Sequence, residues 1–93
     1  MILRPMTTAD ISQVFALDVM SFSLPWPERS YHYEVRENEN SRPWVMEDAS
    51  QTPSRIVGMI VVWMILDEAH IATLAVHPDY RRRGIGQHLL ANA

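Results

Sequence analysis

Ile71-Ala72-Thr73-Leu74-Ala75-Val76, then Arg81-Arg82-Arg83-Gly84-Ile85-Gly86, then Gln87-His88-Leu89-Leu90: the order is apolar run, basic glycine loop, helix start. A strand-to-helix junction of this kind can hold an anion, because the first N–H groups of a helix have no partner within it. Glycine admits φ > 0 and lets a ligand approach the backbone closely. Arginine adds charge and forked donors suited to phosphate. A plain turn with a solvated arginine cluster is the competing reading of the same residues. Two familiar phosphate motifs are excluded. The dinucleotide fingerprint needs a third glycine where Leu89 stands, and the P-loop needs a lysine after its glycines.

Composition narrows the field further. A chain of 93 residues has room for one domain with a small core, and an apolar fraction of 47% argues for folding rather than disorder. The net charge of −3 argues against binding nucleic acid by charge alone, and the positive charge is concentrated at Arg81 to Arg83. There is no cysteine, which excludes disulfides, thiolate metal sites and a thiol nucleophile. No His/Asp/Glu grouping has metal-ligand spacing, so no metal is expected. The N-terminus has no signal-peptide pattern, and the longest apolar run, Ile56 to Leu66, is shorter than the ~20 residues of a membrane span. A cytoplasmic protein without membrane partners is the expectation.

Outward from the loop, the pattern reads as β-α-α-β-β-β-α. Ile2-Leu3-Arg4-Pro5 forms a first strand. Thr7 or Thr8 caps a first helix, with Asp10 three residues after Thr7, and Ile11, Val14, Leu17 and Met20 give that helix an apolar face. Pro27 and Glu28 open a second helix that runs to about Glu39. Arg42 to Glu47 is the second strand, Asp48 to Ser54 a hairpin loop, and Arg55 to Leu66 the third strand. Asp67-Glu68 is a tight turn, and Ala69 to Val76 the fourth strand. Short connections imply antiparallel pairing of the last three strands, hence an α+β fold with a mostly antiparallel sheet.

Arg81-x-x-Gly84-x-Gly86 resembles the Gln/Arg-x-x-Gly-x-Gly/Ala signature of the GCN5-related N-acetyltransferases, and His70 to Tyr80 resembles that family's fourth strand and its approach to the loop. Asp67-Glu68-Ala69 and Phe22-Ser23-Leu24-Pro25-Trp26-Pro27-Glu28 are similar to the branch that acts on protein N-termini, the alanine N-acetyltransferases of ribosomal proteins included. The resemblance implies acetyl-CoA as co-substrate and a protein N-terminal amine as acceptor. It implies that the backbone at Leu74, Ala75 and Val76 binds the pantetheine arm and polarises the thioester. Arg82, Arg83, Gly84, Ile85, Gly86 and Gln87 would cradle the pyrophosphate, with Arg81 at the loop start. Pro25, Trp26 and Tyr31 would border the acceptor site; the alternative for Trp26 is to staple the two helices, and Tyr31 could instead pack on the sheet. Glu68 is the candidate general base, acting through water, against the alternative of a solvated turn carboxylate; His70 comes next. Family members continue beyond the third helix. The resemblance therefore implies a single domain over 1–93 that is the N-terminal half of the acyl-CoA N-acyltransferase fold, truncated in that helix. Its fourth strand would be an open sheet edge able to pair with a second copy, giving a homo-oligomer. Two further functions stay open: a CoA-binding or self-associating unit without turnover, and a small-amine acetyltransferase.

Overall fold

The computed structural model describes residues 1–92; Ala93, the last residue of the expected domain span, lies outside them. The elements are β1 (Ile2–Pro5), α1 (Ile11–Ser21), α2 (Glu28–Arg36), β2 (Ser41–Asp48), β3 (Arg55–Ile65), β4 (Glu68–Val76) and α3 (Ile85–Ala91), with 3-10 turns at Thr8–Asp10 and Pro78–Tyr80. The four strands form one antiparallel sheet in the order β1-β2-β3-β4. This is the expected β-α-α-β-β-β-α order and the N-terminal half of the N-acyltransferase fold.

Helices cover both faces of the sheet. On one face Ile11, Val14, Leu17 and Tyr31 of α1 and α2 pack on Val45, Met59, Val61 and Ala75. On the other, Ile85 and Leu89 of α3 pack with Tyr80 on Met46, Val57, Ile60 and Val62. β3 is buried on both faces because its alternate side chains enter the two clusters in turn. Full burial of each such aliphatic side chain contributes about 1.5–3 kcal/mol. Gly58 sits where α3 comes closest, and a Cβ there would lie 3.0 Å from Ile85 Cγ2 and 3.2 Å from Leu89 Cδ1.

The Thr7 to Asp10 cap forms: the Asp10 carboxylate accepts from the Thr7 N–H at 2.7 Å and from its hydroxyl at 3.0 Å. Arg4 grips the same carboxylate with two nitrogens, at 2.8 and 2.9 Å, and reaches Glu47 at 2.8 Å with its Nε. β1, the first helical turn and β2 are thereby joined.

Four local expectations are corrected. Met20 is exposed rather than core. At about 100° per residue it lies about 180° from Ile11, whereas Asp18 falls within about 20° of Ile11 and is buried. α2 stops at Arg36, not Glu39, because the Tyr33 carbonyl takes the N–H groups of both Glu37 and Asn38 and closes the helix. The tight turn is Leu66-Asp67, with Leu66 at φ 57°, so Glu68 is the first residue of β4 and pairs with Ile65. α3 begins at Ile85, inside the glycine pair, with Gly84 as its left-handed N-cap at φ 77°. Between β4 and the loop the chain makes a 3-10 turn in which the Asp79 N–H donates to His77 Nδ1 at 3.1 Å.

Candidate functional site

Two clefts lie on either side of β4. The first, about 460 Å³, is lined by Val76, Tyr80, Arg81, Arg82, Gly84, Ile85, Gly86 and Gln87. Its floor is the start of α3. The first α3 hydrogen bond runs from His88 N to Gly84 O at 3.0 Å, which leaves the N–H groups of Ile85, Gly86 and Gln87 with no helical partner. Two left-handed residues, Arg82 at φ 65° and Gly84 at φ 77°, shape the approach to that turn. Alternation of right- and left-handed residues turns successive N–H groups toward one point and makes an anion cradle.

Gly86 gives the sharpest local signal. Glycine inside a helix costs about 1 kcal/mol relative to alanine. Among the described residues nothing demands that cost, since a Cβ at Gly86 would meet only Val76 Cγ2, at an ordinary 3.9 Å. Gly86 lines the cleft, so a side chain there would take up part of that space. Free N–H groups, left-handed residues and an arginine together can hold an anion of diphosphate size.

The three arginines are not equivalent. Arg81 Nε donates to the Val76 carbonyl at 3.2 Å, tying the loop to the end of β4. The Arg83 guanidinium stacks 4.9 Å over the Tyr80 ring and is not among the residues lining the cleft. Arg82 lines the cleft and has no hydrogen-bond or ion-pair partner among the described residues. Tyr80 in turn is held by its hydroxyl, which donates to Asp48 Oδ2 at 2.7 Å and receives a bond from Gln51. The Ser50 hydroxyl, then Tyr80, hold the Asp48 carboxyl well below the usual carboxylate range, and Asp48 raises the Tyr80 phenol in return. The β2–β3 hairpin thus props the loop from behind.

Leu74, Ala75 and Val76 form the end of β4 beside this cleft, paired with Ile60, Met59 and Gly58. β4 is the edge of the described sheet, so half of its backbone groups face away from β3.

The second cleft, about 300 Å³, lies on the α1–α2 side and is lined by Asp18, Phe22, Ser23, Leu24, Trp26, Ala72 and Thr73. A register shift opposite Val61 and Val62 leaves Ala72 without a partner in the ladder. That bulge lets the consecutive residues Ala72 and Thr73 both face the cleft, which a regular strand would not. Trp26 is half-buried and packs between Tyr31, with ring centroids 5.3 Å apart, and Trp63, at 6.1 Å. Pro25 is exposed beside it. Tyr31 is fully buried and is not among the residues lining this cleft; its hydroxyl donates to Asp18 Oδ2. Burial, and then the Asp18 carboxylate, keep that phenol protonated far above its ordinary range; a contact with Thr73 opposes them weakly. The Trp26 N–H donates to the same Oδ2 at 3.2 Å.

Glu68 lies elsewhere. It lies eight positions along β4 from Val76, about 26 Å at 3.3 Å per residue. Its side chain is exposed and contacts His70 at 3.1 Å. It lines neither cleft. Asp18 and the bulge at Ala72 carry the second cleft and were not among the expected site residues. The signal for Asp18 was its place on the Ile11–Val14 stripe, where a charged residue must face the core.

Among the described residues no helix is long and apolar enough to cross a membrane, and no group of three or more His, Cys, Asp and Glu could hold a metal ion.

The model of the acetyltransferase (GNAT) family matches residues 11–93. A Bacillus subtilis protein provisionally named a ribosomal protein bS18-alanine N-acetyltransferase is 30% identical over 90 residues, 97% of this chain and 57% of that protein. The crystal structure of the ribosomal-protein-S18-alanine N-acetyltransferase from Escherichia coli superposes with a TM-score of 0.80 at 22% identity, over 98% of this chain and 55% of the other. That of Arabidopsis thaliana NAA60 in complex with acetyl-CoA gives 0.80 at 18% identity, over 98% and 64%. The structural matches establish the fold. The chain spans a little over half the length of the curated relatives it matches.

Proposed function

Because this chain belongs to the acetyltransferase (GNAT) family, we propose that it binds acetyl-CoA through a cradle of Arg82 and Gly84–Gln87 and takes part in acetyl transfer to a protein N-terminal amine. The carrying observation is that three helix-start N–H groups, the partnerless Arg82 and the needlessly small Gly86 meet in one cleft. The free N–H groups take the pyrophosphate oxygens, and Arg82 neutralises charge that would otherwise stay in water. The backbone of Leu74 to Val76 orients the pantetheine arm along β4. The acceptor enters from the opposite side, over the bulge at Ala72 and beside Trp26. In the reaction the amine nitrogen attacks the thioester carbonyl carbon, the carbon–sulfur bond breaks, and the proton lost by the amine ends on the CoA thiol. Orientation of the two reactants from opposite sides of one strand is the main contribution of these residues.

The relatives named for acetylating alanine on ribosomal protein bS18 support a protein N-terminus as acceptor. The same reading treats residues 1–93 as one domain and includes pairing of a second copy along the free edge of β4, which light scattering tests. The primary test is calorimetric titration of acetyl-CoA into the protein, with Gly84→Glu as control. Saturable binding that the variant abolishes is expected. No binding at millimolar acetyl-CoA would overturn the proposal.

A further inference from the structure

The loop that precedes α3 is held at its two ends. At the far end Ile85 and Leu89 are buried in the core on the α3 face of the sheet. At the near end stands Tyr80, 6% exposed, which ends the 3-10 turn immediately before Arg81 and lines the first cleft. Between these anchors Arg82 and Gly84 take left-handed backbone. Among the described residues the one side-chain hydrogen bond made by residues 81–84 is that of Arg81 to the Val76 carbonyl.

Tyr80 is gripped from a distant part of the chain. Its hydroxyl donates to Asp48 Oδ2 at 2.7 Å and accepts from Gln51 Nε2 at 2.5 Å. Asp48 and Arg55 face each other across the mouth of the β2–β3 hairpin, and the Arg55 guanidinium carbon lies 6.0 Å from the centre of the same ring. Asp48 does not need this bond to be satisfied. Its Oδ1 accepts from the Ser50 N–H at 3.0 Å and from the Ser50 hydroxyl, and its Oδ2 accepts from Gln51 at 3.3 Å, all within the hairpin loop. What the Tyr80 hydroxyl adds is a link between residues 32 positions apart, from the hairpin to the start of the loop. A hydrogen bond to a charged, nearly buried carboxylate is among the stronger ones, and it fixes direction as well as distance.

We infer that Asp48 and Tyr80 are positioning residues for the diphosphate of the acyl donor. The hairpin holds Tyr80, Tyr80 sets where the loop starts, and the N–H groups of Ile85, Gly86 and Gln87 are thereby kept aimed at one point. This rests on the acetyl-CoA reading given above and names a control on that same site from outside it: Asp48 does not line the cleft and acts only through Tyr80. Donors already in place bind more tightly, because the ordering is done before the ligand arrives. Linkage runs both ways, so whatever the latch adds to donor binding, donor binding adds to the latch.

The test uses the whole protein, acetyl-CoA, and the variants Tyr80→Phe, Asp48→Asn and the two combined. Tyr80→Phe keeps the ring and removes only the hydroxyl. Calorimetry far below the unfolding temperature reads the affinity of folded protein. Each single variant should bind acetyl-CoA about tenfold more weakly, an ordinary size for coupling between two places in a protein. The double variant should be no more than about twofold weaker than the weaker single one, since both changes remove one contact. The second readout is hydrogen exchange at the Ser50 N–H, which donates to Asp48, lies outside the cleft and reports local opening of the hairpin loop. Acetyl-CoA should slow that exchange about tenfold in the wild type and leave it unchanged in Tyr80→Phe. A tyrosine that merely stabilised the fold would move the urea midpoint and neither of these readouts. Affinity of Tyr80→Phe within about twofold of wild type, losses that multiply in the double variant, or Ser50 exchange indifferent to acetyl-CoA would each overturn the inference. If Asp48→Asn does not fold, Tyr80→Phe and the Ser50 readout decide. Wild-type protein that fails to bind acetyl-CoA overturns the underlying reading and this inference with it, whereas wild-type binding that Tyr80→Phe leaves intact overturns the inference alone.

Discussion

Gly84→Ala separates backbone strain from packing. Gly84 stands at φ 77°, and a Cβ built on it would meet no atom within 4 Å, so alanine brings no collision. What remains is the left-handed conformation, which costs an L-residue about 1–2 kcal/mol. Alanine also narrows the unfolded ensemble, an offset of about 0.4–1 kcal/mol. The expected net loss is close to 1 kcal/mol, or a fall in Tm of about 4–8 °C for a domain of this size. Asparagine tolerates the left-handed region better than alanine and should recover part of the loss. Urea titration of the wild type, Gly84→Ala and Gly84→Asn measures the series. Acetyl-CoA affinity should fall further than stability, because relaxing φ at position 84 swings the N–H groups of Ile85 and Gly86 away from their common point. Equal stability of alanine variant and wild type, or asparagine no better than alanine, would refute the strain argument.

Gly86→Ala should leave stability unchanged or raise it by up to about 1 kcal/mol, since helix propensity improves and the nearest neighbour is 3.9 Å away, yet it should weaken acetyl-CoA binding at least about tenfold. Thermal melts and calorimetry on one sample check both halves. Arg82→Ala should weaken acetyl-CoA binding by about tenfold and reduce its salt dependence, whereas Arg83→Ala, which loses only its stacking on Tyr80, should change affinity less than about threefold. Acid should destabilise the fold through the Arg4 cluster. Burial raises the Asp10 carboxyl, but Arg4 and Thr7 together outweigh it and hold it below its ordinary value; the Ser54 hydroxyl and then Arg4 lower Glu47. Both groups bind protons less readily folded than unfolded. Their contribution is therefore complete above the unfolded values of about 4 and is lost as pH falls through the lower folded ones. Urea titrations from pH 7 to pH 2 should show the loss beginning near pH 4–5, and Arg4→Met should flatten it; a loss that begins above pH 6 would implicate histidines instead.

The strands were legible because β3 is a continuous apolar run and β4 ends in a basic glycine loop, signals that survive without tertiary knowledge. The Thr7 to Asp10 cap was legible for the same local reason. Met20 misled because a spacing of three repeated three times drifts halfway round a helix, while the residue that completes the buried stripe, Asp18, is polar and escapes a search for apolar periodicity. Glu68 entered as the carboxylate that the resemblance left as a base candidate, but its side chain is exposed against His70 and lines neither cleft. The bulge at Ala72 left no trace in composition at all. It is a property of the pairing between β3 and β4, and that pairing exists only once the sheet has formed.

Gly58 adds a consequence of its own. Its missing side chain lets α3 settle on the middle of β3, while the opposite face of the same strand carries Met59 and Val61 toward α1 and α2. The sheet therefore acts as a partition: the two clefts are lined by separate sets of side chains and share only β4. Substitutions among Phe22 to Trp26 can accumulate without reaching the Arg82–Gln87 loop. On the proposed function, the acceptor side can therefore be altered without disturbing the residues that hold the donor.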